Sequence, residues 1–204
     1  MLDKAGFEKA IICASGDLDE YSITSLKAQG ANIDSWGVGT KLITSADMPA
    51  LGGVYKLAAV YENGKEIPKI KLSDNSEKIT NPALKEVYRI YDRATDKAIA
   101  DYITLYGEEI DESKPLELFH PVDKWKSMKL SNFRVRKLRE PLMQNGKRAN
   151  APVPVQESAK YFKQEFSRFW EEYTRQDMPH IYKVDLSPDL QALKSKLIGA
   201  RKGV

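Results

Sequence analysis

The stretch Ile33-Asp34-Ser35-Trp36-Gly37-Val38-Gly39-Thr40 constrains this chain more than any other. An apolar approach runs into Gly-Val-Gly-Thr and leaves through Lys41-Leu42-Ile43. Glycine permits backbone angles and close approaches that a Cβ blocks. Consecutive N–H groups at such a turn can converge on an anion, and the Thr40 hydroxyl adds a donor. The natural ligand for that chemistry is a phosphate. Taken alone, Gly-x-Gly-Thr reads first as a tight strand-to-loop turn without a ligand, because short glycine motifs recur widely.

The segment upstream changes that reading. Ala10-Ile11-Ile12-Cys13-Ala14 is a short apolar run ending at Ser15-Gly16-Asp17, which suits a buried strand. Asp19-Glu20 opens a segment with Ile23 and Leu26 on one side, closed by Gly30. Acids in the first turn and glycine just past the end punctuate a helix. Residues 10–40 therefore predict strand, helix, strand: a right-handed βαβ unit with parallel strands. Both polar turns then lie at the carboxyl ends of those strands, the edge where α/β folds bind ligands. Asp17 offers a carboxylate to two sugar hydroxyls, and the glycine turn offers donors to a phosphate. A phosphorylated sugar suits the pair. Asp17 has a plainer reading as the cap of the helix that follows.

Those residues carry a resemblance. Ala14-Ser15-Gly16-Asp17-Leu18-Asp19-Glu20-Tyr21, then Gly30-Ala31-Asn32-Ile33-Asp34, then Trp36-Gly37-Val38-Gly39-Thr40, resembles nicotinate phosphoribosyltransferase. Val54-Tyr55-Lys56-Leu57, Lys71-Leu72-Ser73, Lys78-Ile79-Thr80, Val87-Tyr88-Arg89 and Pro179-His180-Ile181-Tyr182-Lys183-Val184 follow in the family's order. The resemblance covers nearly the whole chain, but only the carboxyl-terminal part of the family. One departure is Asn81-Pro82-Ala83-Leu84-Lys85, where the family pattern expects Pro-Gly and then a basic residue.

The resemblance implies an α/β fold: a partial βα-barrel of the type II phosphoribosyltransferase kind, an antiparallel β region and carboxyl-terminal helices. Residues 1–50 would be the last part of the barrel, 51–140 the antiparallel region and 141–204 the helical extension. It implies transfer of a phosphoribosyl group from phosphoribosyl pyrophosphate to nicotinate, with ATP hydrolysis coupled and magnesium present, in NAD biosynthesis and salvage. Gly16 and Asp17 would hold the ribose hydroxyls, and Gly37, Val38, Gly39 and Thr40 the 5′-phosphate. The family's phosphorylated histidine and its nicotinate contacts are expected upstream of this chain. No catalytic residue or metal ligand is assigned, and these residues alone are expected to be inactive. Two other readings stay open: a non-catalytic phosphosugar-binding or assembly module, and another barrel enzyme such as quinolinate phosphoribosyltransferase.

Composition narrows the rest. Apolar residues are 42% and charged residues 30%, as in ordinary globular domains. No apolar run approaches a membrane span, and no secretory leader is present, so no membrane partner is expected. Cys13 is the single cysteine; its apolar strand predicts a buried thiol in a reducing cytoplasm. Residues 124–148 hold nine Lys or Arg against one acid, Glu140. The reading taken is a solvated basic face opposite Glu108, Glu109, Asp111 and Glu112, with no nucleic-acid partner. Lys56 and Lys71 could approach a pyrophosphate or stand as solvated strand lysines. His120 and His180 read as structural or exposed.

Along the chain, Leu2-Asp3-Lys4-Ala5-Gly6-Phe7 reads as a helix end, which predicts a piece of a longer protein. An unclosed barrel edge would favour self-association, hence a homo-oligomer. Asn63-Gly64 predicts a hairpin of Val54–Tyr61 with Ile67–Leu72. Val87–Tyr91 and Ile99–Leu105 predict another, and Pro115–Phe119 and Phe133–Leu138 are strand candidates. Gln144–Asn150 reads as a loop. Glu157–Arg175 reads as one helix with a core stripe of Ala159, Phe162, Phe166, Phe169, Trp170 and Tyr173. Ser187 and Pro188 open the last helix, whose stripe is Leu190, Leu193, Leu197 and Ile198.

Overall fold

A computed structural model describes residues 2–123 and 125–202, the last two as backbone. Met1 of the opening segment and Lys124 of the basic run lie outside the described residues. The chain divides into two compact units, Met1–Tyr55 and Lys56–Val204.

In the first unit, β1 (Cys13–Ser15), α1 (Glu20–Ala28), β2 (Ser35–Gly37) and α2 (Thr40–Ile43) follow in order. β1 and β2 pair in parallel. α1 begins with a capping box: Ser22 N–H donates to Asp19 Oδ1, and Asp19 N–H donates to Ser22 Oγ. Such caps satisfy helix N–H groups that have no intrahelical acceptor. The helix ends at Gly30, whose φ is +78°. There Gly30 N–H donates to the Lys27 carbonyl and Ala31 N–H to the Leu26 carbonyl, a paired closure that needs a left-handed residue.

The second unit opens with a hairpin of β3 (Ala59–Glu62) and β4 (Lys65–Pro68). Asn63 and Gly64 turn it with φ of +52° and +77°, the pair of positive angles that suits a right-twisted hairpin. Next come β5 (Lys85–Asp92), β6 (Ala98–Leu105), β7 (Leu116–Phe119), β8 (Ser127–Leu130) and β9 (Phe133–Lys137). A short hairpin of β10 (Met143–Gln144) and β11 (Lys147–Arg148) leads to α3 (Val155–Phe166) and α4 (Glu171–Thr174). β12 (Val184–Leu186) and α5 (Pro188–Lys202) complete the unit. Six strands form one sheet in the order β8-β7-β12-β6-β5-β9. Only β12 beside β6 is parallel; the other pairings are antiparallel. The core gathers Ile90, Ala100, Tyr102, Leu118 and Phe133. α5 packs on β6 and β7 with Leu190 fully buried, and Ser187 caps it, its Oγ accepting from Leu190 N–H. The fold is mixed α/β around a mostly antiparallel sheet.

Several expectations need correction. Cys13 is exposed, as are Ile11 and Ile12, on a parallel pair of two strands. Such pairs ordinarily need cover on both faces. Gln144–Asn150 is not plain loop, since Asn145 and Gly146 turn a hairpin with positive φ. The helix expected at Glu157–Arg175 starts at Val155 and breaks between Phe166 and Glu171. At the break, Lys97 Nζ donates to the carbonyls of Ser167 and Phe169, and the Arg168 carbonyl accepts from Ala98 N–H. Tertiary donors thus replace helical ones. The stripe is not core either. Phe162, Phe166 and Trp170 are exposed, while Phe169 and Tyr173 pack edge-on against Tyr182.

At the departure from the family pattern, Ala83 takes φ +68°, an angle that favours glycine. Lys85 Nζ holds the bend by donating to the carbonyls of Asn81, Pro82 and Ala83. Desolvation lowers the Lys85 pKa, with the Glu66 charge acting the other way.

Candidate functional site

The ladder of the first unit decides where its turns go. Cys13 pairs with Ser35, Ala14 with Trp36 and Ser15 with Gly37. The strands therefore end side by side, and the chain leaves both at the same edge. Asp34 stitches their beginnings: its carboxylate accepts from Ile12 N–H at 2.8 Å, and the Ile12 carbonyl accepts from the N–H groups of Asp34 and Ser35.

Gly16 and Asp17 leave β1 with φ of +107° and +45°. The left-handed pair turns the chain sharply, and the next side chain, Leu18, is buried at 8% exposure. Asp17 itself is exposed. The cap of α1 is Asp19, so the plainer role considered for Asp17 falls to its neighbour. Ser22 N–H and hydroxyl donors hold the Asp19 carboxyl below the ordinary carboxylate range, with Lys41 adding to the effect.

Gly37 lies directly across from Ser15, and a Cβ added there would stand 3.1 Å from Ser15 Cβ. The two strand ends approach closely enough that a side chain at Gly37 would crowd Ser15 by a few tenths of an ångström. Gly39 differs: a Cβ there meets nothing within 4 Å. Gly39 is the N-cap of α2 and offers no side chain to it; its carbonyl accepts from Leu42 and Ile43 N–H. The first N–H groups of a helix have no acceptor within it, here those of Thr40 and Lys41. The structure thus brings Gly16 and Asp17 to the same edge as Gly37, Val38, Gly39 and Thr40. Between the starts of α1 and α2 lies a cavity of about 170 Å³ lined by Asp19, Glu20, Lys41, Leu42, Ser45, Ala46 and Asp47. Reading motifs overlooked this lining. Its only local signals were Lys41 directly after the glycine turn and Asp19 three residues before Ser22.

The other candidates lie in the second unit. His120 Nδ1 accepts from the N–H groups of Val122 and Asp123, so it shapes a turn. His180 N–H donates to the Glu172 carbonyl, and its ring stands edge-on to Tyr173. Lys56 and Lys71 lie outside the strands and line an open groove of about 490 Å³ with Leu57, Lys69, Ile70 and Leu72. Lys71 N–H donates to Thr80 Oγ1.

Six of the nine basic residues in the run are paired, though with other acids than expected. Lys126 meets Asp123, Lys129 meets Glu117, Arg134 meets Asp96, Arg136 meets Glu165, and Lys137 and Arg139 meet Glu86. Among the described residues no helix is long and apolar enough to cross a membrane.

A family model described as the nicotinate phosphoribosyltransferase C-terminal domain matches residues 84–194. The chain is 46% identical over 198 residues to nicotinate phosphoribosyltransferase of Bacillus subtilis (strain 168), covering 97% of this chain and 40% of that protein. It is 33% identical over 192 residues to the Dictyostelium discoideum enzyme of the same name, covering 90% and 32%. A crystal structure of human nicotinic acid phosphoribosyltransferase superposes with a TM-score of 0.72 at 24% identity, over 96% of this chain and 36% of that one. The chain spans two fifths or less of these relatives' length.

Proposed function

The chain belongs to the nicotinate phosphoribosyltransferase family, and from that premise we propose that it forms the carboxyl-terminal part of an enzyme joining nicotinate to phosphoribosyl pyrophosphate. The products are nicotinate mononucleotide and pyrophosphate, ATP hydrolysis is coupled, and the reaction serves NAD biosynthesis and salvage in the cytoplasm. In this reading the first unit is the last part of a βα-barrel. Gly16 and Asp17 hold the ribose hydroxyls. Gly37, Val38, Gly39 and Thr40 hold the 5′-phosphate.

The observation that carries the reading is the Ser15–Gly37 pairing, which sets both polar turns at one carboxyl edge. Breaking the bond at the anomeric carbon develops oxocarbenium character in the ribose. The protein then has to position two reactants and stabilise charge as it separates. A carboxylate on the ribose hydroxyls and backbone donors on the phosphate fix the sugar at both ends. Among the described residues no group of three or more His, Cys, Asp or Glu is arranged to hold a metal ion.

The test uses the full-length enzyme. Asp17→Asn keeps size and removes charge, and should weaken phosphoribosyl pyrophosphate binding by about 1–3 kcal/mol, the usual cost of a charge-assisted hydrogen bond. Gly39→Val should cost more, because the added carbons occupy space open to a ligand and not to the protein. Unchanged kinetic constants in both variants would reject the assignment.

A further inference from the structure

We propose that Asp19 is a positioning residue for the ribose: it touches no substrate, and it holds the Asp17 carboxylate where the sugar hydroxyls bind. This role rests on the reading of Asp17 as the ribose-binding carboxylate.

Asp17 stands at φ +45°, in the left-handed region, directly after Gly16 at +107°. A residue with a Cβ stays at such an angle only where its surroundings fix the chain on both sides. Upstream the strand ladder does so, with Ser15 paired to Gly37. Downstream two residues do so. Leu18 is buried and anchors the chain directly after Asp17. Asp19 is then held through its side chain, its N–H and its carbonyl. Its Oδ1 accepts from Ser22 N–H at 2.8 Å, and its N–H donates to Ser22 Oγ at 2.9 Å. Its carbonyl accepts from the Ser22 hydroxyl and from Ile23 N–H, both at 3.0 Å. Two residues of chain span at most about 7 Å, so freedom gained at the cap becomes displacement at the Asp17 carboxylate.

Asp19 also reaches toward the second turn. Lys41 directly follows Thr40, and Asp19 and Lys41 line one cavity between the starts of α1 and α2. After the Ser22 donors, the Lys41 charge helps hold the Asp19 carboxyl below its ordinary value. One carboxylate thus ties the start of α1, which follows the ribose turn, to the start of α2, which follows the phosphate turn. A sugar phosphate gripped at both ends needs those ends at a fixed spacing.

A cap that served the fold alone would behave differently when lost. Less enzyme would be active, so kcat would fall while both KM values stood. Loss of a positioning residue raises the KM for the substrate it serves.

Steady-state kinetics of the full-length enzyme separate the two. Asp19→Ala should raise the KM for phosphoribosyl pyrophosphate about threefold to tenfold, since a cap can bias the turn by no more than its own worth. The KM for nicotinate should not change. Asp19→Asn, whose amide oxygen also caps, should recover most of the loss. Ser22→Ala removes the acceptor of Asp19 N–H and should raise the same KM by a smaller factor; it carries the test if Asp19→Ala does not fold. On an Asp17→Asn background neither change should raise that KM further, because residues acting as a unit do not add. Asp17→Asn without effect would reject the ribose reading and this role with it. An effect of Asp17→Asn beside unchanged KM values in the Asp19 and Ser22 variants would overturn this role alone. So would equal rises in both KM values, or additive effects at positions 17 and 19.

Discussion

Glu165→Gln isolates what the ion cluster at the base of α3 contributes. The substitution keeps the shape and removes the charge that Arg136 and Arg168 share, at 2.6 and 2.5 Å. Breaking a fully buried pair costs about 3–5 kcal/mol. Here the arginine side chains retain 30% and 22% exposure, and Arg168 also reaches Asp96, so water and a second carboxylate recover part of the loss. We expect about 2–3 kcal/mol, since a hydrogen bond to a charged group is worth about 1.5–3 kcal/mol. In a protein of this size that lowers Tm by roughly 5–10 °C. The pH dependence supplies a second reading. Burial alone would push the Glu165 carboxyl up, but hydrogen bonds and charge from Arg136, with Arg168, hold it below its ordinary value. The folded state then binds fewer protons at this site than the unfolded state. Its contribution is complete above the unfolded carboxyl value, near ~4.3, and is lost as pH falls through the folded one. Urea unfolding of wild type and Glu165→Gln at pH 7 and pH 3 should show a wide gap that narrows in acid. Equal midpoints at pH 7, or a gap undiminished at pH 3, would refute the reasoning.

Other outcomes follow from the two strand ends. Gly37→Val should destabilise the first unit, because the new side chain enters 3.1 Å contact with Ser15; circular dichroism and amide exchange of Ser15 would register it. Gly39→Val should leave the amide exchange of Ser15 unchanged while affecting ligand binding, since its Cβ meets nothing within 4 Å; loss of Ser15 protection equal to that of Gly37→Val would contradict the contrast. The 204-residue chain alone should give no nicotinate mononucleotide from phosphoribosyl pyrophosphate, nicotinate, ATP and magnesium, because positioning two substrates supplies about 7–11 kcal/mol and half a site cannot provide it. Robust turnover would show that the site has been misplaced.

The amino-acid sequence by itself determined what is local. Gly30, Asn63-Gly64 and Ser187-Pro188 act through backbone angles and caps within a few residues, so the helix stop, the hairpin's turn and the last helix start were legible, while the strands it joins, Ala59–Glu62 and Lys65–Pro68, are shorter than the expected Val54–Tyr61 and Ile67–Leu72. The β1–α1–β2 order and the shared edge of its turns were legible too, because handedness and strand direction follow from connection length. Tertiary structure alone decided the rest. β12 enters the sheet between β6 and β7, pairing Val184 with Asp101 across more than eighty residues. The break after Phe166 depends on Lys97 and Ala98, about seventy residues upstream. Helical periodicity in Phe162 and Phe166 identifies an apolar face but carries no information on what covers it. That is set by Glu165, whose partners Tyr91 and Arg136 are distant in the chain and turn the ionic side of the helix inward.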